Sequence, residues 1–195
     1  MSAHNYDGLT PDARVLLLGA PDDALAQRFT RLEQAAVESL PAGESQFELI
    51  VCRDVAHDLP DAFDLLRHCA ALLAPGGWLR VEDVLIPDDE RAAYYVEAFY
   101  RLRAGTPQRY YAGYAWEGML LDAGLSLDWQ ETDETHLLLR DWAAGCSDAV
   151  MTRLQILLHQ APAAVGDWLS PVALGSDAAS FRQYRLQIAG RKPPI

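Results

Sequence analysis

The stretch Phe47-Glu-Leu-Ile-Val-Cys-Arg-Asp-Val-Ala-His-Asp-Leu-Pro60 decides the fold, because it opens on an apolar run, 47–52, of the kind that forms a strand buried in a parallel sheet. From Asp61 to Ala74 the apolar residues recur at helical spacing. Pro75-Gly-Gly77 predicts the end of that helix, and Trp78–Ile86 is predicted to be the next strand. A strand, a helix and a strand in this order predict two parallel strands joined by a helical crossover.

The same alternation continues on both sides of this unit. Upstream, Arg14–Gly19 is predicted to be a strand, Asp22–Phe29 a helix and Arg31–Gln34 a short strand. Downstream, helices are predicted at about 88–103, 115–123, 138–144 and 148–160, and strands at 125–131 and 181–190. The pattern predicts an α/β fold with a mainly parallel sheet flanked by helices, in which ligands bind beyond the carboxyl ends of the strands.

Composition and charge exclude several kinds of binding partner and predict where the protein is located. The chain has 195 residues, half of them hydrophobic, which is typical of one globular domain. Its net charge of −12 repels nucleic acid and anionic membranes. No apolar run approaches the roughly 20 residues of a membrane span, and Met1–Asp12 lacks the pattern of a signal peptide, so a cytoplasmic location is expected. Three cysteines without metal-ligand spacing predict free thiols and no metal site.

Five segments carry a resemblance to a known family. They are 47–60, Leu72-Leu-Ala-Pro-Gly-Gly-Trp-Leu79, Val81–Asp89, Trp116-Glu-Gly-Met-Leu-Leu-Asp-Ala-Gly124 and Asp141-Trp-Ala. In this order and spacing they resemble the class I S-adenosylmethionine-dependent methyltransferases, in particular the type 11 group that includes ubiquinone- and menaquinone-biosynthesis enzymes. The resemblance covers about Arg14 to Lys192.

The resemblance implies a Rossmann-like methyltransferase fold in a single domain, 1–195. About 14–86 would form the cofactor-side half, about 87–180 a helical substrate-side region with one strand, and 181–190 the final strand. In this family a Gly-rich loop after the first strand approaches the carboxypropyl chain of the cofactor. An acidic residue after the second strand holds the ribose hydroxyls, and an Asp after the third meets the adenine amine.

The chain is short where those contacts belong. Only about 28 residues separate Gly19 from Phe47, which is too few for the usual strand–helix–strand–helix–strand unit. In the better-matching register Val15–Gly19 is the second strand, so that Gly19 and Ala36 replace the two acidic residues and the first strand is missing. In a rival register Val15–Gly19 is the first strand, but Pro21 has no N–H to donate and Asp22 and Asp23 would face the cofactor carboxylate.

Both registers predict a degenerate cofactor site with no intact contact residue, and the fold is predicted to be a truncated, mainly parallel sheet. Two lost charge-assisted hydrogen bonds cost roughly 1.5–3 kcal/mol each, or a factor of about 10² to 10⁴ in affinity. S-adenosylmethionine is therefore implied by the resemblance only. Because the family's first strand lies between the second and fourth, either the second strand moves beside the fourth or another segment fills the gap; swapping or dimerisation with a second copy, or with a methyltransferase-type subunit, would also cover the exposed edge.

Candidate site residues follow the strand at 47–52. His57 is predicted to act as a general base, with Asp54 beside it; the alternative is that Arg53–Asp58 only caps the next helix. Tyrosines and other aromatics cluster between 94 and 116, either contacting a planar ligand or packing a helix on the sheet. The predicted substrate residues are Tyr95, Phe99, Tyr110, Tyr111, Trp116 and Arg109.

The remaining acids are predicted to be solvated or helix-capping rather than metal ligands: Glu82, Asp83, Asp88, Asp89 and Glu90. Three hypotheses remain open from the sequence. The first is a methyltransferase homologue that binds a small molecule, or acts as an accessory protein, without methylating through the usual site. The second is an active methyltransferase with a remodelled or dimer-completed site. The third is a different small-molecule enzyme that uses His57 and the tyrosines.

Overall fold

The computed structural model describes residues 8–41, 43 and 46–194. Residues 1–7, which carry much of the signal-peptide expectation, and part of the predicted loop at 40–45 lie outside the described residues. The strands are β1 (Arg14–Gly19), β2 (Arg31–Ala35), β3 (Phe47–Arg53), β4 (Leu73–Val84), β5 (Ser126–Leu138) and β6 (Ser180–Arg191). The helices are α1 (Asp23–Arg28), α2 (Ala62–Leu72), α3 (Glu90–Ala104), α4 (Gly113–Asp122), α5 (Leu139–Trp142), α6 (Asp148–His159) and α7 (Ala163–Leu169).

The six strands of the described residues form one sheet in the order β2-β1-β3-β4-β6-β5. The first four are parallel to one another, whereas β6 runs antiparallel to both β4 and β5. The prediction of a Rossmann-like, mainly parallel sheet flanked by helices is confirmed. All four parallel strands present their carboxyl ends at one edge of the sheet, and this edge carries the candidate site.

The strand β1 occupies the position between β2 and β3. It pairs in parallel with both, with Val15 opposite Leu49 and Gly19 opposite Arg53 in β3. In class I methyltransferases the first strand lies next to the fourth, and β3 is the counterpart of that fourth strand. By its place in the sheet β1 therefore corresponds to the first strand. This position favours the register in which the turn Gly19–Asp23 replaces the Gly-rich loop.

Two elements differ from the predicted bounds. The helix α2 ends at Leu72, and β4 begins at Leu73 rather than after Gly77, with a register shift against β3. Gly77 has to be glycine here, because a Cβ atom would lie 2.9 Å from the Ala74 carbonyl oxygen and 3.0 Å from that of Phe47. The strand β5 extends to Leu138 because it pairs with β6 along its whole length, so the predicted helix at 138–144 is reduced to α5.

Three buried clusters hold the layers together. The largest lies between the sheet and the helices α2 and α4 and includes Phe47, Leu66 and Trp116. A second joins α3, α6 and α7 to the end of the sheet around Phe99 and Phe181. A smaller third cluster packs α1 against the opposite face of β1 and β3. The substrate-side helices thus have a core of their own, next to the core under the parallel strands.

Within the described part of the chain, no helix is long and apolar enough to cross a membrane. The same described residues contain no group of three or more His, Cys, Asp or Glu side chains placed to hold a metal ion. Cys52 and Cys69 are free and buried, with their sulfur atoms 3.9 Å apart.

The single lysine of the sequence ties β6 to the end of α2. Lys192 Nζ donates to the carbonyl oxygens of Ala70 at 2.9 Å, Ala71 at 3.4 Å and Leu73 at 2.8 Å. The last carbonyls of a helix have no partner within the helix, and they carry the negative end of its dipole, so an ammonium group stabilises them.

Lys192→Met is expected to lower the free energy of unfolding by about 1.5 to 3 kcal/mol, the usual cost of hydrogen bonds to a charged group. Urea denaturation followed by circular dichroism measures this difference. Arg153→Met, at an exposed position on α6, is the control and should stay within about 0.5 kcal/mol of the wild type. Equal effects of the two substitutions would contradict the capping role of Lys192.

Candidate functional site

The turn after β1 is pinned to the end of β3. Gly19 adopts a φ of +90°, and a Cβ atom there would lie 2.1 Å from the Arg53 carbonyl oxygen. The Ala20 N–H donates to that same oxygen at 2.8 Å. Glycine is therefore required at position 19 for close contact with β3.

The rest of the turn uses its polar groups internally. The Asp22 carboxylate caps α1, accepting from the N–H groups of Ala24 at 2.9 Å and Leu25 at 3.1 Å. It also forms an ion pair with Arg53, 3.0 Å between Oδ2 and the guanidinium. Pro21 has no N–H, and its carbonyl accepts from Arg53. The Asp22 carboxylate of this turn is therefore engaged by α1 and Arg53, and Pro21 contributes no N–H donor.

A cleft of about 500 Å³ opens beside this turn, at the carboxyl ends of β1, β2 and β3. Both residues that the sequence placed at degenerate cofactor positions, Gly19 and Ala36, line it. Its other lining residues are Gln34, Ala35, Val37, Glu38, Val55, Asp58 and Leu59. The sequence analysis did not predict Glu38 as a residue of this cleft, because it compared only position 36 with the family. The carboxylate two residues after Ala36 was the signal that could have identified it.

The predicted base His57 is held by a buried carboxylate. His57 Nδ1 lies 2.6 Å from Asp83 Oδ1, and the His57 backbone N–H donates to Asp83 Oδ2 at 3.2 Å. Asp83 is 1% exposed and also accepts from the Val84 N–H at 2.7 Å. The Tyr110 ring stacks on the imidazole with 5.4 Å between centroids. These contacts fix the ring, with the Nδ1 proton directed at Asp83.

Burial and nearby negative charges shift the pKa of His57 in opposite directions. Burial alone would lower its pKa, but the hydrogen bond that Nδ1 donates to Asp83 and the negative charges of Asp83, Asp58 and Asp54 outweigh burial, so the pKa of His57 is raised above its ordinary value. The neighbouring Tyr110 has its pKa raised as well, chiefly by burial and then by the charge of Asp83. The imidazole therefore holds its proton to a higher pH than an ordinary histidine does, while the phenol stays protonated.

Asp54 lies at the end of β3 in an unusual conformation. Its φ is +52°, in the left-handed region that residues other than glycine seldom adopt. Its carboxylate pairs with Arg185 of β6 at 2.6 Å, and its N–H donates to the Glu82 carbonyl at 2.9 Å. Asp54 is thus paired across the sheet, and the cap of α2 comes from Asp61, which accepts from the Phe63 N–H at 2.9 Å.

The prediction that Glu82 and Asp83 are solvated or capping is wrong. Both are buried on opposite faces of β4, because Asp83 pairs with His57 while Glu82 pairs with Arg80 at 2.7 Å and Arg53 at 3.3 Å. His57 and Arg53 lie on a neighbouring turn and strand, which local sequence does not show, whereas Arg80 lies two residues before Glu82 on β4. Asp89 does cap α3, accepting from the Ala92 N–H at 2.9 Å.

The predicted substrate residues do not all lie together. Phe99 is fully buried beside Trp142 and Phe181, and Trp116 is fully buried against Tyr111. The Tyr95 hydroxyl donates to the Leu157 carbonyl at 2.9 Å.

Two of the aromatics lie next to the site. Tyr110 covers His57, and the Tyr111 hydroxyl accepts from the Ala62 N–H at 3.3 Å. The exposed Arg109 lies over the Tyr111 ring, and its N–H donates to the His57 carbonyl at 2.9 Å. Of the predicted set, Tyr110 stacks on His57 and Arg109 donates to its carbonyl, whereas Phe99 lies deeper in the buried cluster that Tyr110 borders.

Residues 5–130, more than half of the chain, match the model of the methyltransferase domain family, so the chain belongs to that family. The uncharacterized protein YafE of Escherichia coli is 32% identical over 111 residues, 57% of this chain and 54% of that protein. YcgJ, an uncharacterized methyltransferase of Bacillus subtilis, is 30% identical over 131 residues, 66% of this chain and 51% of that protein. The chain spans about half the length of these curated relatives.

Solved structures share the fold. The crystal structure of YcgJ superposes with a TM-score of 0.85 at 20% identity, covering 96% of this chain and 95% of that one. A geranyl diphosphate methyltransferase in complex with S-adenosylmethionine superposes with a TM-score of 0.58 at 12% identity, covering 95% of this chain and 80% of that one. At such identities these structures establish the fold alone.

Proposed function

We propose that this member of the methyltransferase domain family binds a small molecule at the carboxyl edge of its sheet and does not methylate through the usual S-adenosylmethionine site. The observation that supports the proposal is the turn Gly19–Asp23, where Pro21 lacks an N–H and the Asp22 carboxylate caps α1 and pairs with Arg53. The aminocarboxypropyl end of the cofactor needs backbone N–H donors and room at this turn. It would meet instead the carboxylate of Asp22 and the ring of Pro21.

The residues present therefore fit only part of that cofactor. The cleft beside the turn has room and apolar walls for a flat ring, from Val37, Val55 and Leu59. Gln34 is already engaged, because its amide donates to the Gly19 carbonyl at 3.3 Å. The complete cofactor has to place its own carboxylate beside Pro21 and Asp22, whereas a ligand that lacks the amino acid group does not.

The test is calorimetric titration with S-adenosylhomocysteine, S-adenosylmethionine and 5′-methylthioadenosine, which lacks the amino acid group. We expect both complete cofactor molecules to bind with dissociation constants above about 1 mM, no tighter than methylthioadenosine. Micromolar binding of S-adenosylhomocysteine, about tenfold or more tighter than methylthioadenosine, would show that the amino acid group is held and would overturn the proposal.

One observation favours a second candidate, an active methyltransferase with a remodelled site completed by a second copy or a partner subunit. Glu38 follows β2 closely and brings a carboxylate to the cleft, where it could accept hydrogen bonds from two ribose hydroxyls. In that case S-adenosylhomocysteine should bind in the micromolar range, and Glu38→Gln should weaken it by about tenfold or more. Light scattering during the same titration would report association of the chains.

A further inference from the structure

The strand β5 (Ser126–Leu138) forms one edge of the sheet. It pairs with β6 along one side, and its other side carries no strand within the described sheet. In an antiparallel strand every second residue directs its backbone N–H and C=O away from the neighbouring strand. The edge of β5 therefore presents outward-facing backbone donors and acceptors over roughly 40 Å.

This edge lacks several of the features that usually prevent a further strand from pairing. Proteins protect sheet edges by shortening the edge strand, or with a proline, a lysine or a bulge. Residues 126–138 contain no proline and no lysine. The register shift against β6 lies near the start of the strand, between Leu127 and Trp129, and from Trp129 to Leu138 the two strands pair without interruption. The edge is therefore long and regular enough to receive another strand.

Exposed apolar side chains lie on β5 and on the helix next to it. Leu127 is 41% exposed and Leu138 is 37% exposed, near the two ends of β5. The helix α4 packs against β5 and adds Tyr114 at 65% and Leu121 at 57% exposure. Large apolar side chains that are grouped on neighbouring elements, rather than scattered singly, indicate an interaction surface.

The charges of β5 determine which kind of strand can be added. Its 13 residues include no lysine or arginine but four carboxylates: Asp128, Glu131, Asp133 and Glu134. Asp128 accepts a hydrogen bond from the indole N–H of Trp78 at 3.2 Å, and Asp133 accepts one from the side-chain amide of Gln187 at 2.9 Å. Both donors are neutral, so these bonds leave the negative charge of the two carboxylates in place.

The arginines of β6 that approach these acids have other partners as well. Arg185, opposite Asp133 in the ladder, forms an ion pair with Asp54 at 2.6 Å. Arg182 lies 3.5 Å from Glu134, and its guanidinium also donates to two backbone carbonyls of α7. Negative charge therefore exceeds positive charge along β5, and a basic strand beside it gains pairs of opposite charge.

A second copy of this chain is a poor partner for the edge. Antiparallel pairing of two β5 strands centred on Thr132 would bring residues 131–134 of both copies together, and like charges opposite each other are destabilising. The net charge of −12 adds to this repulsion. The same charges attract a strand that contains lysine or arginine.

We propose that the outer edge of β5 binds an extended, basic segment of another protein, which adds a further strand to the sheet through backbone hydrogen bonds. Its lysine or arginine side chains pair with the carboxylates at 128–134, and apolar residues at its ends contact Leu127 and Leu138. The inference is independent of the proposed function, because the cleft lies at β1, β2 and β3, whereas β5 is the last strand at the other end of the sheet.

The test titrates the full chain by calorimetry with three synthetic peptides of about 12 residues, built from the repeats Lys-Thr-Thr, Glu-Thr-Thr and Lys-Pro-Pro. The Lys-Pro-Pro peptide keeps the positive charge, but its prolines lack the N–H groups that a strand needs. We expect the Lys-Thr-Thr peptide to bind about tenfold or more tighter than either of the others. Hydrogen exchange should then slow at the amides of β5 and stay unchanged at the other edge strand, β2.

Charge variants test the role of the β5 carboxylates. Asp128→Asn combined with Asp133→Asn should weaken binding of the Lys-Thr-Thr peptide by about fivefold or more. The matched control, Asp64→Asn combined with Asp88→Asn, removes the same charge from exposed positions away from β5 and should change the affinity by less than about twofold. Asparagine keeps an oxygen acceptor at positions 128 and 133, so both double variants should retain the wild-type circular dichroism spectrum.

Equal affinity for the Lys-Pro-Pro peptide would mean that net charge alone attracts basic peptides, and it would overturn the inference. Equal affinity for the Glu-Thr-Thr peptide, slowed exchange at β2 instead of β5, or no Lys-Thr-Thr binding below about 1 mM would overturn it too. These outcomes leave the proposed function untouched, because the cofactor titration tests the cleft. Micromolar binding of S-adenosylhomocysteine would likewise leave the inference about β5 unchanged.

Discussion

Replacing Gly19 with alanine is expected to lower the free energy of unfolding by about 3 to 5 kcal/mol. The added Cβ atom would lie 2.1 Å from the Arg53 carbonyl oxygen and 2.9 Å from Val55 Cβ, and the φ of +90° is unfavourable for any side chain. To relieve the clash, β1 has to separate from β3 at the edge that forms the cleft. Urea denaturation measures the loss.

Gly118→Ala is the matched control, because Gly118 lies within α4 and a Cβ atom there meets nothing within 4 Å. Alanine is the better helix former, so this variant should gain up to about 1 kcal/mol. A Gly19→Ala variant as stable as the wild type would mean that the turn is not pinned to β3 and can move aside for a cofactor.

Asp83→Ala is expected to cost about 3 to 5 kcal/mol, the usual effect of removing one partner of a buried charged pair. The substitution leaves His57 Nδ1 and the N–H groups of His57 and Val84 without their acceptor. Thermal or chemical denaturation at neutral pH gives the magnitude. Asp88→Ala, at an exposed position five residues later, should stay within about 0.5 kcal/mol of the wild type.

The pH dependence of stability gives this variant a second signature. In the wild type the pKa of His57 is raised on folding, so its contribution is fully present below the unfolded pKa of about 6.5 and is lost as pH rises through the folded pKa. Without Asp83, burial dominates and lowers the pKa, so the contribution should grow as pH rises from about 5 to about 8. An unchanged pH profile would contradict the proposed pairing.

Local pattern predicted the parallel half of the fold well. The strands at Arg14–Gly19 and 47–52 were predicted from their apolar runs, and the helix after Asp61 from its helical spacing of apolar residues. In each case the segment's own residues show which side chains are buried. The start of β4 was missed because Pro75-Gly-Gly77 has the composition of a turn, yet its glycine allows close approach to β3. The polar end of β5 shows little alternation, and only its pairing with β6 makes it a strand.

The site was predictable only where its residues are adjacent in sequence. His57 was a candidate because it follows a strand, and the structure places it at the carboxyl edge as expected. Its partner Asp83 lies 26 residues away, and the β3–β4 register brings the two together. Position 19 likewise requires glycine because the carbonyl oxygen of Arg53, on the neighbouring strand β3, lies so close to it. No local sequence pattern shows this contact between β1 and β3.

The order of the sheet also constrains how the protein can form during synthesis. The strand β6, residues 180–191, inserts between β4 and β5, and it supplies all the strand pairing of β5 in the described sheet. Because residues 139–179 separate the two strands along the chain, β5 emerges from the ribosome before its neighbour, and the antiparallel edge of β4 is uncovered until β6 follows. The parallel half can assemble early, but the sheet closes only after β6 itself has emerged, so this interval is when the nascent chain most needs protection from aggregation.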